Sequence, residues 1–497
     1  MVEIPRFACY KQGMNRINEL EQGTDTSGGD LLESISAYCQ LAKIAESTFG
    51  RQVMNDGKFV ARLRNGSRVT PETWRRVTEY IETHGGTVPS EIDPRILHVM
   101  SREQLDNQSR REAIAAEVDD DSEQSFRFFD NRQKYLLFIN TCSEKDKVAK
   151  RIGQELKHIE PHPPAFRLFD AGFGDGTVLT RVLREMHRRY PTMPFYVSGK
   201  EVSLEDVRLT LAKVADRLFE HPATVLILTN MYYSEAPWLT PAHPDKADSV
   251  VWKELALTGG TAHEFDEQIS SLDDFLVDNW QAKHSTRTGN PIYERPSVLV
   301  IYREDYRFLM DGVIPKPGPQ KADFDLVIAS QPYRSRMPAE FKVEKVVGPL
   351  TRALGPGGRL LGIHSYGNDP GLEIVRRVWP GEEPFITNRH DIFNALRAEL
   401  GSEAVNYQFS ANSDDRAIFS YEMHALPTEI SASIGTSTLF AAWNAAVYVA
   451  QIEDERLTDA MSQGTYIEAT RSVLQEFGGL WFNDETYVIV RKPDQDQ

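Results

Sequence analysis

The stretch Phe166-Arg-Leu-Phe-Asp-Ala-Gly-Phe-Gly-Asp-Gly-Thr177 constrains this chain more than any other. An apolar run of strand character leads into Asp170. Three glycines follow at alternate positions (Gly172, Gly174 and Gly176), and an amphipathic helix carrying Val178, Leu179, Val182, Leu183 and Met186 begins at once. Glycine suits such a turn because it tolerates positive φ and, lacking a Cβ, lets a ligand lie directly against backbone. The helix N-terminus behind the loop favours negative charge, which suits a carboxylate or a phosphate. Glu201 ends the next strand-like run, 25 residues after Gly176, where a carboxylate can accept hydrogen bonds from ribose hydroxyls.

The same alternation of strand and helix continues. Strand-like runs at Phe195–Val202, Thr224–Leu228, Phe324–Ala329 and Arg359–Ile363 are separated by helical patterns, one of them opening at Leu204. This predicts an α/β, Rossmann-like domain: a mostly parallel twisted sheet with helices on both faces. Residues 235–295 break the pattern with an acidic stretch containing Trp238, Trp252 and Trp280, read as an insertion that helps cover a site. Past residue 400, Ala417–Met423 and Thr486–Val490 bracket the helical Leu439–Arg456 and Tyr466–Glu476, which suggests strands closing the sheet edge.

At 497 residues the chain is long enough for two or three domains. Its 40% hydrophobic and 26% charged content excludes wholesale disorder and a membrane-embedded bundle, and runs such as Thr224–Thr229 and Ser297–Tyr302 are only strand length. The opening Met1-Val-Glu-Ile-Pro-Arg lacks a secretory pattern, and Cys9, Cys39 and Cys142 form neither a disulfide framework nor a zinc cluster. A reduced, cytoplasmic protein with no membrane partner is expected. No metal site is expected either, since His158 and His162 are split by Pro161.

The domains are expected as a loose arm over residues 1–30, a small all-α domain over 31–115, an acidic linker over 116–130 containing Glu117-Val-Asp-Asp-Asp-Ser-Glu123, and the α/β domain over 131–497. Leu31, Leu32, Ile35, Tyr38 and Ala42 recur at helical spacing, Phe49 and Val53 mark a second helix, and Phe59, Val60 and Leu63 a third. Thr70-Pro71 is a helix start. Residues 51–76 gather a local charge of +5, which leaves −22 on the rest of a chain whose total is −17. That field disfavours nucleic acid as the substrate of the large domain.

Several of these segments together resemble class I S-adenosylmethionine-dependent methyltransferases. Asp170-Ala-Gly172-Phe-Gly174-Asp-Gly176 is similar to that family's first motif and Glu201 to its second. Leu354-Gly-Pro-Gly-Gly-Arg-Leu-Leu361 is similar to the turn into the fifth strand, and Phe324–Tyr333 to the fourth-strand motif. The resemblance covers roughly 131–497, with 235–295 unaccounted for. It implies S-adenosyl-L-methionine as cofactor, its methionyl part on the glycine loop, its ribose on Glu201, and the Thr229-Asn230-Met231 turn beside the adenine. Asp170 and Asn230 join Gly172, Gly174, Gly176 and Glu201 as the implied cofactor set. A nicotinamide or flavin dinucleotide is the rival, but its fingerprint places a glycine where this chain has Thr177.

Amine-methylating members follow the fourth strand with Asn/Asp-Pro-Pro-Tyr/Phe. Here the segment is Ser330-Gln331-Pro332-Tyr333. The Gln331 amide oxygen and a backbone carbonyl can accept from an amine, and Tyr333 can stack on a planar group or face a cation. Gln331, Tyr333 and His364, which follows the fifth strand, are the candidate catalytic residues. Tyr232, Tyr233 and the insertion's tryptophans are candidates to line the substrate pocket. The acceptor is expected to be a small molecule or a protein, with an amine as one option.

Ser47–Arg68 followed by Thr70-Pro-Glu-Thr73 resembles the helix-turn-helix of the repressor/Cro class. Arg51, Lys58, Arg62, Arg64 and Arg68 are then the residues placed to meet DNA through residues 47–76. The competing readings are a docking face for a partner or a homodimer, and a transcription regulator whose methyltransferase-like domain senses a metabolite without turnover.

Overall fold

The computed structural model describes residues 31–84 apart from 33, 34, 37, 40–43, 55 and 65–70, together with 132–284, 291–424, 426 and 434–494. The expected arm over 1–30, the acidic linker over 116–130 and residues 85–115 of the expected helical domain lie outside the described residues. The chain divides into two units after residue 122.

In the first unit, helices Glu46–Met54, Phe59–Arg64 and Pro71–His84 follow one another. Their core is Phe49, Val53, Phe59, Val60, Leu63 and Val77, joined by Leu31, Ile35 and Cys39. The rings of Tyr38, Phe49 and Tyr80 pack edge to face at 5.6–6.1 Å, the arrangement that aromatic quadrupoles favour. The turn between the first two helices is tight because Gly50 has no side chain: a Cβ there would lie 2.5 Å from the Asp56 carbonyl oxygen.

Among its described residues the second unit has twelve strands: β1 Phe166–Asp170, β2 Phe195–Lys200, β3 Thr224–Thr229, β4 Val251–Leu257, β5 Ala282–His284, β6 Pro291–Tyr293, β7 Ser297–Arg303, β8 Phe324–Ser330, β9 Leu354–Ser365, β10 Tyr407–Ser410, β11 Ile418–Glu422 and β12 Trp481–Arg491. Ten form one sheet in the order β10-β12-β9-β8-β1-β2-β3-β7-β4, with β11 also paired to β12. The central five, β3-β2-β1-β8-β9, are parallel. From β1 the chain steps outward to β2 and β3, then returns to place β8 and β9 on the other side. The β1/β8 boundary is therefore a topological switch point, where the carboxyl ends of strands open a crevice.

Side chains alternate between the two faces of each strand, and helices cover both. Leu168, Val197, Leu226 and Ile328 pack with Ile152, Val182 and Met186 on one face. Phe169, Tyr196, Val225 and Val327 pack with Leu350, Ile392 and Leu396 on the other. Pro356-Gly357-Gly358 lies in the first part of β9, where pairing with β8 shifts register. A third cluster, including Phe138, Ile374, Tyr421, Trp443, Val473 and Phe482, joins helices Arg132–Thr141, Pro370–Val378, Thr436–Val449 and Thr465–Phe477 to the β11/β12 edge.

The 235–295 stretch adds β4 to the sheet, parallel to β7, which itself runs antiparallel to β3. One expectation changes. The helix expected over Leu439–Arg456 ends at Val449 and a new one starts at Asp454, because Gln451 takes the left-handed φ of 53° and ties its side chain to the Ser335 amide at 3.0 Å. Among the described residues no helix is long and apolar enough to cross a membrane.

Candidate functional site

The crevice is built first by the turn after β1. Asp170 is buried, and one of its carboxylate oxygens takes the Gly172 N–H at 3.1 Å. Burial lifts its pKa to about 7, and the Glu201 charge adds to this, while the Gly172 N–H and the Lys145 charge oppose it. At Gly172 itself a Cβ would meet nothing within 4 Å, so no protein atom requires a glycine there. Gly176 differs: its φ is 76° and a Cβ would lie 2.8 Å from Thr210 Cα, so protein packing alone demands it. Over Gly174 stands the Tyr135 hydroxyl, 3.2 Å from where a Cβ would be.

Glu201, just past β2, folds back on this turn. One carboxylate oxygen accepts the N–H groups of Val202 at 2.8 Å and Ser203 at 2.9 Å, and the other accepts the Gly174 N–H at 2.9 Å. Desolvation, with the Asp206 charge, keeps its pKa above the ordinary carboxylate value despite these donors. Trp280 of the insertion donates its indole N–H to the Glu201 carbonyl at 2.7 Å, which fixes the strand end. Asp170, Gly172, Gly174, Gly176 and Glu201 thus lie together.

The anion expected at the following helix N-terminus is the chain's own. The Asp175 carboxylate accepts the Thr177 N–H at 3.3 Å and pairs with Lys213 Nζ at 2.6 Å. Burial alone would raise Asp175, but Lys213 and the Thr177 hydroxyl hold it below the usual range. One N–H of that helix's first turn is thus already taken by a carboxylate of the protein itself.

Asn230 follows β3, but its amide is used inside the protein. Its Nδ2 donates to the carbonyls of Arg295 at 2.9 Å and Asn279 at 3.4 Å, and its Oδ1 accepts the Ser297 N–H at 2.9 Å. It clamps the insertion to the sheet instead of offering a polar atom to a ligand. Tyr233 is the residue that crosses the crevice: its hydroxyl donates to the Pro332 carbonyl at 2.9 Å, and Lys200 Nζ lies 4.5 Å from its ring centroid. Burial, with the nearby Glu201 and Asp170 charges, pushes its pKa up. The backbone carbonyl expected to receive an amine therefore already holds one hydrogen bond.

Gln331 stands at the carboxyl end of β8 with φ 48°, a left-handed conformation uncommon for a residue with a side chain. Its Nε2 donates to Ser365 Oγ and to Asp484 Oδ1, each at 3.2 Å. Tyr333 and His364 are placed differently from expectation. Both are buried, and the Tyr333 hydroxyl sits 2.7 Å from His364 Nδ1 and 3.2 Å from the Tyr487 hydroxyl. His364 Nε2 lies 2.7 Å from Glu485, whose carboxylate also takes the Arg389 backbone N–H and guanidinium at 2.8 Å each. The cause is β12: running antiparallel to β9, it sets Glu485 opposite His364 and Asp484 opposite Ser365. Neither ring presents a free polar atom to the crevice.

Sequence reasoning missed Tyr135, Tyr233 as a bridge, Asp484 and Glu485. The last two carried a signal, since adjacent acids precede the apolar Thr486–Val490 and the strand extends back through both to Trp481.

Of the expected DNA-facing residues, Arg51, Lys58, Arg62 and Arg64 are exposed, and Arg68 lies outside the described residues. Arg62 pairs with Asp56, and Arg64 with Glu46 at 2.7 Å. Exposed pairs of this kind are worth only ~0–1 kcal/mol and yield readily to a better partner.

No family model matches the chain, and no curated protein does. Among solved structures, a geranyl diphosphate methyltransferase in complex with GPP and sinefungin is similar over 69% of this chain and 78% of its own, at 11% identity and TM-score 0.27. The rRNA methyltransferase aviRa from Streptomyces viridochromogenes matches 44% of this chain and 73% of its own at 15% identity and TM-score 0.20. PKMT2 from Rickettsia typhi in complex with AdoHcy matches 70% of this chain and 53% of its own at 10% identity and TM-score 0.24.

Proposed function

We propose that the large unit binds S-adenosyl-L-methionine and transfers its methyl group to a small-molecule or protein acceptor. The observation that carries this is Gly172: a Cβ there would meet nothing within 4 Å, and it lies in the turn at the switch point of a parallel sheet, between Asp170, which accepts its N–H, and Gly174, whose N–H Glu201 accepts. A Cβ would intrude where a ligand must approach backbone. Asp170 suits the cationic methionyl end, the bare backbone at Gly172 lets that part lie close, and Glu201 Oε2 retains a lone pair for a ribose hydroxyl. When bound, the cofactor supplies an electrophilic methyl. The protein's part is to exclude water and align the acceptor at the end of β8. The test is calorimetric titration with S-adenosylmethionine and S-adenosylhomocysteine: micromolar binding of both supports the reading, and silence from both on folded protein removes it.

A second reading is a regulator that senses the cofactor without turnover. It is favoured by the burial of Tyr333 and His364, which leaves neither ring facing an acceptor. Binding without methyl transfer to any offered amine or protein extract separates the two. In either case the basic face of the first unit is proposed to meet DNA or a partner. Replacing Arg51 and Lys58 by Ala should then lower affinity for DNA and flatten its salt dependence.

A further inference from the structure

We propose that Asp484, held by Gln331 and Ser365, is the acceptor-recognition residue, and that the acceptor it receives is an amine; this rests on the cofactor reading above. Asp484 is fully buried on β12, 153 residues from Gln331 in sequence. Its Oδ1 accepts the Gln331 amide N–H at 3.2 Å, but its Oδ2 is buried with no hydrogen-bond partner among the described residues. A buried carboxylate oxygen without a donor is costly, and native proteins rarely leave one so unless something else arrives.

The Ser365 hydroxyl also bonds this carboxyl, and the acids packed nearby bring no donor to Oδ2. The Asp369 carboxylate is satisfied by the N–H groups of Leu372 at 2.8 Å and Asn483 at 2.9 Å, and Glu144 lies 3.3 Å from Lys145 Nζ. Both add negative charge at Asp484, whose carboxyl burial, Glu144 and Asp369 together hold well above its ordinary pKa. An incoming cation would provide the compensation that the protein lacks.

Gln331 gives the direction. Its amide nitrogen is committed to Ser365 and Asp484, which leaves the amide oxygen as the uncommitted end, without a partner among the described residues. The strained φ of 48° holds that amide at the carboxyl end of β8, and such strain persists where surrounding contacts over-determine it. Gln331 Oε1 is an acceptor, and Asp484 Oδ2 becomes one when a cation beside it favours the ionised carboxyl, so the group they select brings N–H donors and positive charge. A protonated amine brings both; a hydroxyl brings no charge.

Sinefungin tests this, because a carbon bearing an amine stands in it where the methyl donor has its sulfonium and methyl, whereas S-adenosylhomocysteine has a bare thioether there. The wild-type chain should bind sinefungin more tightly than S-adenosylhomocysteine. Asp484→Asn, which preserves shape but replaces one acceptor oxygen by a donor, should weaken sinefungin about tenfold or more and leave S-adenosylhomocysteine within about twofold. Gln331→Met should show the same selectivity, and it carries the test if Asp484→Asn loses its cooperative melting transition. Equal loss of both ligands, or loss of neither, overturns the role of Asp484. Failure of both ligands to bind the wild-type chain overturns the cofactor reading beneath it.

Discussion

The hydroxyl of Tyr333 lies 2.7 Å from Nδ1 of His364, in a buried chain that continues through Glu485 to Arg389. Two residues placed by sequence at a ligand-facing edge thus serve to lock β9, β12 and the segment after β8 together. Tyr333→Phe should destabilise the large unit by about 1–3 kcal/mol, because it strips the partner from a buried imidazole nitrogen. Urea denaturation measures this, and an unchanged midpoint would mean the chain of hydrogen bonds adds nothing.

Glu485 sets an acid limit on the same chain. Burial alone would raise its pKa, but His364 and Arg389 hold it below the ordinary value of 4.5. A carboxylate depressed in the folded state stabilises fully above its unfolded pKa and loses that contribution as pH falls through the folded one. Glu485→Gln should therefore flatten the loss of stability below pH 4.5, seen in denaturation midpoints across the acid range.

Gly172 and Gly176 should respond oppositely to alanine. Gly176→Ala meets both a φ of 76° and the Thr210 backbone, and should cost stability of about 1–3 kcal/mol. Gly172→Ala has open space and should change stability by no more than about 0.5 kcal/mol while weakening S-adenosylhomocysteine binding. Paired melting curves and titrations separate the two effects.

Asp170, with a pKa raised to about 7 by burial, favours the folded chain in acid and loses that contribution as pH rises through this value. A cationic cofactor beside it should stabilise the ionised form and release a proton at neutral pH. The calorimetric enthalpy of S-adenosylmethionine binding should then vary with the ionisation enthalpy of the buffer, and Asp170→Asn should abolish that variation.

His187 and His221 face each other with their Nδ1 atoms 2.9 Å apart, and His221 stacks on Phe195 at 3.7 Å. Burial lowers the His221 pKa below 6.5, so the unfolded chain takes up its proton first and stability should fall as pH drops below that value. His221→Leu should reduce the slope of midpoint against pH in this window.

Much of the crevice was legible because its signals are local. The run from Phe166 through Thr177 carries strand, turn and helix within one short segment, and Glu201 follows at the end of the next strand. Asn230 was placed at the correct strand end, yet its amide points into contacts with Arg295, Asn279 and Ser297 that only the insertion's path determines. Tyr135 was invisible as a site residue because nothing in its own helix marks which loop that helix will cover.

What the sequence determined by itself is the α/β alternation and the glycine turn, because hydrophobic period and turn chemistry act over a few residues. Only the tertiary structure decided which polar groups face the crevice. Strand β12 enters between β9 and β10 from the far end of the chain, pairs Asp484 with Ser365 and Glu485 with His364, buries one candidate histidine and exposes the need of one aspartate. That pairing is set by sheet order and register across more than a hundred residues, and no local pattern encodes it.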